Sequence, residues 1–374
     1  MNRILLRLFL SLCMVALVSC SAKTSRLVTS GLWKDWERYD QLVQVDYPDA
    51  VPIILIHGWN GGEFSWPQPQ ALIAMETQLH RDIFFFNYRT GIIANRYPPI
   101  ELLEEQLTTY LKQFSQVDVV AHSMGGLLLR QYLSEHADNP VRRILFLSTP
   151  HYGSNVAGLL VDIGDIGYTG NIQASELLPG SDFLWQLNSL EGVELEGKTV
   201  LNVYARAQRK LLKGDLVVSV SHAWLPWASN AEVNGDHHLG RRITEPWAMN
   251  FLATGQMPEP ASMPSERELW LRIQPVGRSE PLKITRPSIH RFDQAMSFKD
   301  KSFGLCCDSR SGLHPVGGTS LILEDVVAGD VVRLFLRQGG RGALELHIKD
   351  LLKKADRPVQ LVVVHPGSET TGTP

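Results

Sequence analysis

The sequence predicts an α/β fold, in which a mostly parallel sheet is covered by helices on both faces, followed by a smaller β-rich region. Residues 51–147 alternate short apolar runs, rich in β-branched side chains, with amphipathic helical patterns, which is typical of parallel strands joined by crossover helices. From residue 269 onwards the pattern changes to short alternating strands separated by glycines and charged turns, which predicts a sandwich-like domain. The 374 residues are enough for two domains.

The individual elements follow from the same patterns. In the first region the predicted strands are Val51–Ile56, Ile83–Tyr88, Val117–Ala121, Val141–Leu147 and Thr199–Tyr204, and the predicted helices are Glu101–Phe114, Gly125–Ser134 and Trp247–Leu252. In the second region the predicted strands are Leu269–Ile273, Ser320–Leu323, Val331–Leu336, Ala343–Ile348 and Val359–Val364.

The domain limits come from interruptions of this rhythm. Residues 153–196 break into helical fragments and would form a cap above the carboxyl ends of the strands, either as a lid or as plain structural helices. Residues 255–265 contain three prolines and no periodicity, which predicts a linker. The sequence thus predicts a catalytic domain over residues 51–254 and a β-rich domain of open role over residues 266–374.

The charge balance excludes one class of partner. The chain has 36 lysines and arginines against 39 aspartates and glutamates, with no long run of like charges. A nucleic-acid-binding surface requires a basic patch. We therefore expect no nucleic acid partner, and protein partners remain open.

The N-terminus has the pattern of a secretory signal. Arg3 and Arg7 precede an apolar stretch, Leu8–Leu17, that is too short to span a bilayer. Leu17 to Cys20 resembles the lipobox of bacterial lipoproteins, in which the cysteine is acylated and becomes the first mature residue. The resemblance implies a signal peptide over residues 1–19, lipid on Cys20 and a tether with an entry strand over residues 20–50. Because Ser21 replaces the aspartate that retains lipoproteins in the inner membrane, it also implies an outer-membrane anchor facing the periplasm.

Residues 119–126 indicate a catalytic serine. Ser123 lies between a predicted strand and a predicted helix, with the small residues Ala121 and Gly125 two positions before and after it. This is the pattern of a nucleophile elbow, a turn so tight that its neighbours must be small and the serine oxygen is presented above the sheet.

Glycines at the end of the first strand indicate an oxyanion hole. The stretch from Ile56 to Gly62 contains Gly58, Gly61 and Gly62, which let the backbone turn across the top of the sheet. The backbone N–H groups of Trp59 and Met124 are the predicted donors to the developing oxyanion.

A serine nucleophile needs a base and a carboxylate that orients it, in the chain order Ser, Asp, His. Asp215 is the predicted acid, because it lies in a turn soon after the strand Thr199–Tyr204. The competing acids are Asp162, Asp165 and Asp182, which do not follow a strand.

The base is expected in the loop before the closing helix. Two adjacent histidines lie there, and they cannot both face the serine. His238 is the preferred base because it lies nearer the helix start. His237, which follows an aspartate, is the alternate, and His222 is a remote third choice. No spacing in this loop suggests a metal site.

Over residues 50–254 the chain resembles the α/β-hydrolase lipases related to the GPI inositol-deacylase and the bacterial triacylglycerol lipases. The matching stretches are 56–59, 121–126, 148–154, 176–181 and 214–218. The resemblance implies an α/β-hydrolase fold with a cap insertion, and a lipase or esterase, possibly a phospholipase, that uses no cofactor. Two alternatives stay open: an acyltransferase with the same triad, and an inactive hydrolase-fold lipoprotein that only binds.

Overall fold

The computed structural model describes residues 45–88, 90, 98–154, 156–157, 172–207, 214–274, 288–292, 320–323, 326, 331–336 and 342–365. Its contacts divide the chain into residues 1–46 and a compact unit over residues 47–374, and the description below concerns the second unit. The predicted signal peptide, Cys20 and most of the tether lie outside the described residues, as do Asp162 and Asp165. Among the described residues no helix is long and apolar enough to span a bilayer.

A six-stranded sheet lies in this unit, with its strands in the order β2-β1-β3-β4-β5-β6 and every neighbouring pair parallel. The strands are β1 Ile53–Ile56, β2 Ile83–Phe86, β3 Val117–His122, β4 Val141–Leu147, β5 Thr199–Arg206 and β6 Ser229–Asn234. All four residues of β1 are fully buried, as expected of a strand with neighbours on both sides and helices on both faces.

The helices around this sheet are α1 Pro69–Leu79, α2 Ile100–Leu111, α3 Met124–Glu135, α4 Ile172–Glu176, α5 Asp182–Ser189, α6 Val220–Ala223 and α7 Pro246–Thr254. Their boundaries follow local rules. In α7, Pro246 occupies the first helical position, and Gly255 ends the helix with a φ of 78°. In α2, the buried side chains of Leu103, Leu107 and Leu111 recur at helical spacing.

The predicted α/β class is confirmed, since the chain has a parallel sheet with a separate C-terminal β region. The predicted elements match the observed ones to within a few residues at each end. Helices α1 and α6, strand β6 and the C-terminal strand Ser288–Phe292 were not predicted from the sequence. Strand β6 contains Asn230, Glu232 and Asn234, and a strand at the sheet edge tolerates such polar side chains.

The strand order determines where a site can form. From β1 the chain first adds β2 on one side and then returns to place β3 on the other side of β1. The loops that leave β1 and β3 therefore diverge at their carboxyl ends and leave a crevice between them, which is where open α/β sheets place their ligands.

The C-terminal residues form two three-stranded sheets. Their strands are β7 Glu268–Ile273, β8 Ser288–Phe292, β9 Ser320–Leu323, β10 Val331–Leu336, β11 Gly342–His347 and β12 Val359–Val364, arranged as β12-β7-β9 and β11-β10-β8. A short helix, α8 Ile348–Leu351, follows β11. In the first sheet β7 pairs parallel with β12 and antiparallel with β9, so this sheet is mixed.

The segment between the two regions is packed rather than extended. The backbone N–H of Ala261 donates to the carbonyl of Asn230 at 2.7 Å, and Ala261 and Met263 pack against a cluster around Tyr204 and Trp224. The predicted linker thus contacts the edge of the large sheet. Whether residues 51–254 fold without the remainder stays a prediction.

Candidate active site

Ser123 forms the turn between β3 and α3. Its φ of 54° and ψ of −129° are rarely adopted by residues other than glycine, and such strain is retained mainly where function requires it. The turn brings the backbone of Gly125 very close to the backbone of His57: a Cβ built on Gly125 would lie 2.4 Å from the carbonyl oxygen of His57. This explains why the sequence has glycine two residues after the serine.

The structure places His237 beside Ser123. The Nε2 atom of His237 lies 2.8 Å from Ser123 Oγ, and Nδ1 lies 2.7 Å from Asp215 Oδ2. Because a carboxylate only accepts hydrogen bonds, Nδ1 donates to Asp215, and Nε2 can accept from the serine hydroxyl when the ring carries a single proton. Serine, histidine and aspartate from the ends of β3, β6 and β5 thus form one continuous hydrogen-bonded chain.

The preference for His238 is corrected by this geometry. The His238 side chain is 60% exposed, and its neighbour is Asp236 at 3.4 Å. The reason is the alternation of side chains along the loop: Leu239 is fully buried in the core, so residues 237 and 239 face inward while 238 faces solvent. The apolar Leu239 was the signal in the sequence that identifies the inward-facing histidine.

His222, the third choice, is also held elsewhere. It is buried, and its Nε2 donates to Glu268 Oε2 at 3.0 Å. Of the competing acids, Asp182 is the first residue of α5 and accepts a hydrogen bond from Arg272.

Asp215 is held in a preformed acceptor position. Its Oδ1 accepts from the backbone N–H groups of Val217 and Val218 at 3.0 and 2.8 Å. Burial, the largest influence, opposes ionisation, but the charge and hydrogen bond of His237 and the two backbone donors outweigh it, so the pKa of Asp215 lies below the ordinary value. The carboxylate therefore stays ionised beside the imidazole at neutral pH.

The loop after β1 passes directly over the serine. A Cβ built on Gly58 would lie 2.6 Å from Ser123 Cβ and 3.1 Å from its Oγ, so only glycine fits. Trp59 follows Gly58 and Met124 follows Ser123 in the sequence. The two predicted oxyanion-hole residues are therefore the next residues after this close contact.

His57 fixes the shape of that loop. Its Nδ1 donates to the carbonyl of Gly58 at 2.8 Å, its Nε2 accepts from the backbone N–H of Tyr88 at 3.2 Å, and its carbonyl accepts from the Tyr88 hydroxyl at 2.6 Å. The two rings are stacked at 4.2 Å. Burial lowers the pKa of His57 to about 4, so the ring is neutral at physiological pH. It holds the loop after β1 against Tyr88 through these hydrogen bonds.

His122 holds the backbone of His237 in place, a contact that sequence reasoning did not find. Its Nε2 lies 2.7 Å from the backbone carbonyl of His237, to which it donates, and the two rings are 5.1 Å apart. Burial, then the charge of His237, lowers the pKa of His122 to about 3. The ring is therefore a neutral donor over the working pH range.

A buried polar network joins α3 to the cap. Arg130 donates to Glu194 at 2.8 Å and to Asn188 at 3.1 Å, and lies 3.5 Å from His151 Nδ1. His151 in turn donates through Nε2 to Asn202 on β5 at 3.2 Å. The described part of the predicted cap, including α5, is thus tied both to the helix that follows the serine and to the sheet.

The other cap helix meets the start of α2. Glu176, the last residue of α4, accepts from the backbone N–H of Ile100 at 3.0 Å. Burial raises the pKa of Glu176 to about 7, against the partial opposition of that hydrogen bond. This carboxyl group therefore titrates near neutrality.

We expect the wild-type protein to lose stability relative to Glu176→Gln as the pH rises from about 4.5 to about 7. The folded state favours the neutral carboxyl, so the protein is most stable below the unfolded pKa and bears the cost of a buried charge above the folded pKa. The shift corresponds to about 3 kcal/mol, and partial solvent contact reduces this to the order of 1–2 kcal/mol. Unfolding free energies of both proteins at pH 4.5 and 8 measure it. Glu105→Gln, on the exposed face of α2, is the control and should show a smaller pH-dependent difference.

Similarity to known proteins agrees with this fold. Residues 51–160 match the family model of the alpha/beta hydrolase fold, and no curated protein shows significant sequence similarity to the chain. Two structures of phospholipase PlaB from Legionella pneumophila, one in complex with thio-NAD, are similar with a TM-score of 0.58 at 12% and 13% identity, covering 84% of this chain and 93% of that chain. Lipase BlEst2 from Bacillus licheniformis in its mature form has a TM-score of 0.45 at 20% identity, covering 57% of this chain and 96% of that chain.

The family model and the phospholipase structures establish the class of fold. The chain has an α/β-hydrolase fold, with a six-stranded parallel sheet and a separate mixed C-terminal sheet. Residues 51–254 make up little more than half of the sequence, so the similarity to the phospholipase structures extends beyond the predicted catalytic domain.

Among the described residues no group of three or more histidine, cysteine, aspartate or glutamate side chains is arranged to hold a metal ion.

Proposed function

We propose that this chain is a serine hydrolase that cleaves carboxylic esters through an acyl-enzyme on Ser123. The observation that carries the proposal is the chain of hydrogen bonds from Ser123 through His237 to Asp215, at 2.8 and 2.7 Å. Such a chain converts a weakly nucleophilic hydroxyl into an effective nucleophile.

In the proposed mechanism, Ser123 Oγ attacks the ester carbonyl carbon while its proton passes to His237 Nε2. The new imidazolium is stabilised by Asp215, and the negative oxygen of the tetrahedral intermediate accepts from the backbone N–H groups of Trp59 and Met124. The intermediate collapses as His237 returns the proton to the departing alcohol. Water then repeats the sequence on the acyl-enzyme, and the acid is released. These steps require no metal or organic cofactor.

The proposed substrates are lipid esters, including acylglycerols and phospholipids. Two observations support this class: the similar fold of a solved phospholipase, and the lipobox-like stretch ending in Cys20. A lipid anchor at Cys20 would hold the chain at the periplasmic face of the outer membrane, beside such lipids. An acyltransferase would use the same acyl-enzyme and differ only in the acceptor.

The test is labelling by a fluorophosphonate probe, combined with turnover of p-nitrophenyl esters of increasing chain length and of phospholipid vesicles. We expect the wild-type protein to be labelled on Ser123 and to hydrolyse esters, because only a hydroxyl beside an accepting imidazole attacks such reagents quickly. Ser123→Ala should lose both. Ser134→Ala, a part-buried serine on α3, is the control and should keep both.

An adduct on another serine would contradict the proposal, as would a labelled enzyme that hydrolyses no ester. Addition of an acceptor alcohol distinguishes the alternative, since transfer that exceeds hydrolysis would identify an acyltransferase.

A further inference from the structure

Strand β7 of the C-terminal sheet turns an unusually polar face toward the catalytic region. Glu268, Trp270 and Arg272 alternate with leucines, so they share one face of the strand. All three are buried. Each contacts a different element near the active site, and Leu269 and Leu271 are buried as well.

Trp270 and Arg272, which follow Glu268 on the same face, make two of these contacts. The Trp270 ring meets Tyr152 edge to face at 5.7 Å. The Arg272 guanidinium bonds to Asp182 and lies 4.3 Å from the centre of the Trp185 ring, both on the cap helix α5. The β7 face therefore packs on the loop after β4 and on the cap.

Glu268 is hydrogen-bonded to His222, which lies next to the turn that carries Asp215. Its Oε2 accepts from His222 Nε2 at 3.0 Å, and its Oε1 accepts from Trp270 Nε1 at 2.5 Å. The side chains of His222 and Glu268 are 3% and 10% exposed. Both carboxylate oxygens of Glu268 therefore accept hydrogen bonds in a buried environment. Loss of either acceptor there would leave a buried donor unpaired, which is costly in free energy.

His222 belongs to the short helix α6, which begins directly after the turn that carries Asp215. Its backbone N–H donates to the hydroxyl of Ser219, the residue that pairs across the turn with Gly214. The backbone carbonyl of His222 accepts from the N–H of Tyr152 at 3.0 Å. His222 is therefore hydrogen-bonded to Ser219 at one end of the Asp215 turn, and Ser219 in turn pairs with Gly214 at the other end.

A second contact ties the same turn to the loop after β4. Ser154 Oγ donates to the carbonyl of Val217 at 2.6 Å, and the N–H of Val217 donates to Asp215 Oδ1 at 3.0 Å. The β7 face contacts this loop through Tyr152 as well. The β7 face thus supports the Asp215 turn in two ways, through His222 and through the loop after β4.

We propose that Glu268 is a positioning residue of the C-terminal sheet, which holds His222 and thereby fixes the turn from which Asp215 orients His237. This inference rests on the proposed function of Ser123, His237 and Asp215. It gives the β-rich region a role in the reaction through Glu268, whose carboxylate accepts from His222 and Trp270 and not from the triad residues.

The expected consequence is a loss of turnover rather than of substrate binding. A triad must be held to about half an ångström, and a misplacement of about 1 Å costs up to roughly a hundredfold. Glu268→Leu removes both acceptors and leaves the N–H groups of His222 and Trp270 unpaired. We expect kcat for a short soluble ester to fall roughly 10- to 100-fold, with KM changed less than about twofold, because the ester does not contact Glu268.

The matched control is Gln360→Leu. Gln360 lies on β12, next to β7 in the same sheet, and is equally buried, but its hydrogen bonds go to the backbone of Lys354. It should lower the unfolding temperature without lowering kcat. The rescue variant is Glu268→Gln combined with Trp270→Phe, in which the amide oxygen needs to accept only from His222. It should restore most of the lost kcat.

The experiment measures kcat, KM and the rate of fluorophosphonate labelling of full-length variants, at a temperature where circular dichroism shows each to be folded. Glu268→Gln alone keeps the shape of the side chain and serves if Glu268→Leu does not fold; an intermediate loss of kcat is expected. A folded Glu268 variant with kcat within twofold of wild type would overturn the proposal, as would equal loss in Gln360→Leu or the absence of rescue. A wild-type protein that is not labelled on Ser123 would instead refute the proposed function.

Discussion

Replacing His237 by alanine is expected to lower ester turnover by at least about a thousandfold, while His238→Ala should cost no more than about tenfold. Among the residues that the structure describes, only the ring of His237 is hydrogen-bonded to both Ser123 and Asp215. Without it, the serine hydroxyl has no acceptor for its proton and the leaving alcohol has no donor. His238 faces solvent, and its replacement affects the loop alone.

The measurement is kcat/KM for one soluble ester with both single variants and with Ser123→Ala/His237→Ala. Members of a triad act as one unit, so the double variant should be about as impaired as either single variant. Fluorophosphonate labelling should be lost in His237→Ala and kept in His238→Ala. Near-normal activity of His237→Ala together with loss in His238→Ala would restore the assignment made from the sequence.

The two histidines also show how far sequence reasoning reaches. Most of the strands, the turn at Ser123 and the turn at Asp215 could be predicted, because apolar periodicity and small residues at fixed offsets reflect local geometry. The choice between adjacent histidines could not be made from their distance to the next helix. It depends on which side of the loop faces the core, and Leu239 carries that information.

The contacts that position the site were the least predictable. Glu268 and His222 are 46 residues apart in sequence, and Arg130 and Glu194 are 64 apart. No short pattern relates such residues, because their pairing depends on how whole elements pack. The sequence did contain one clue: an apolar strand that includes Glu268 and Arg272 must supply partners for both if it is buried.

The largest stability effect is expected at the buried pair of Arg130 and Glu194. Arg130→Met leaves Glu194 in the interior without its cation, and the carboxylate side chain has no solvent exposure. Loss of one partner of a buried pair costs about 3–5 kcal/mol. Because Arg130 lies on the helix that begins at the nucleophile turn, we also expect Arg130→Met to reduce the yield of active protein.

A double-mutant cycle tests whether the loss of stability comes from the charge that is left unpaired in the interior. We expect Arg130→Met/Glu194→Met to be less destabilised than the sum of the two single variants, since removing both partners leaves no isolated buried ion. The free energy of unfolding in urea measures each variant. Additive losses would show that packing, and not the unpaired charge, dominates.

The matched control for this cycle is the pair of Arg206 and Glu232. Its charged atoms are also 2.8 Å apart, but the side chains are 47% and 32% exposed. Water already solvates both groups, so the coupling energy of this pair should be at most about 1 kcal/mol. The same distance should therefore give a large coupling energy for the buried pair and a small one for the exposed pair. The difference between the two is the cost of leaving a charge where water cannot reach it.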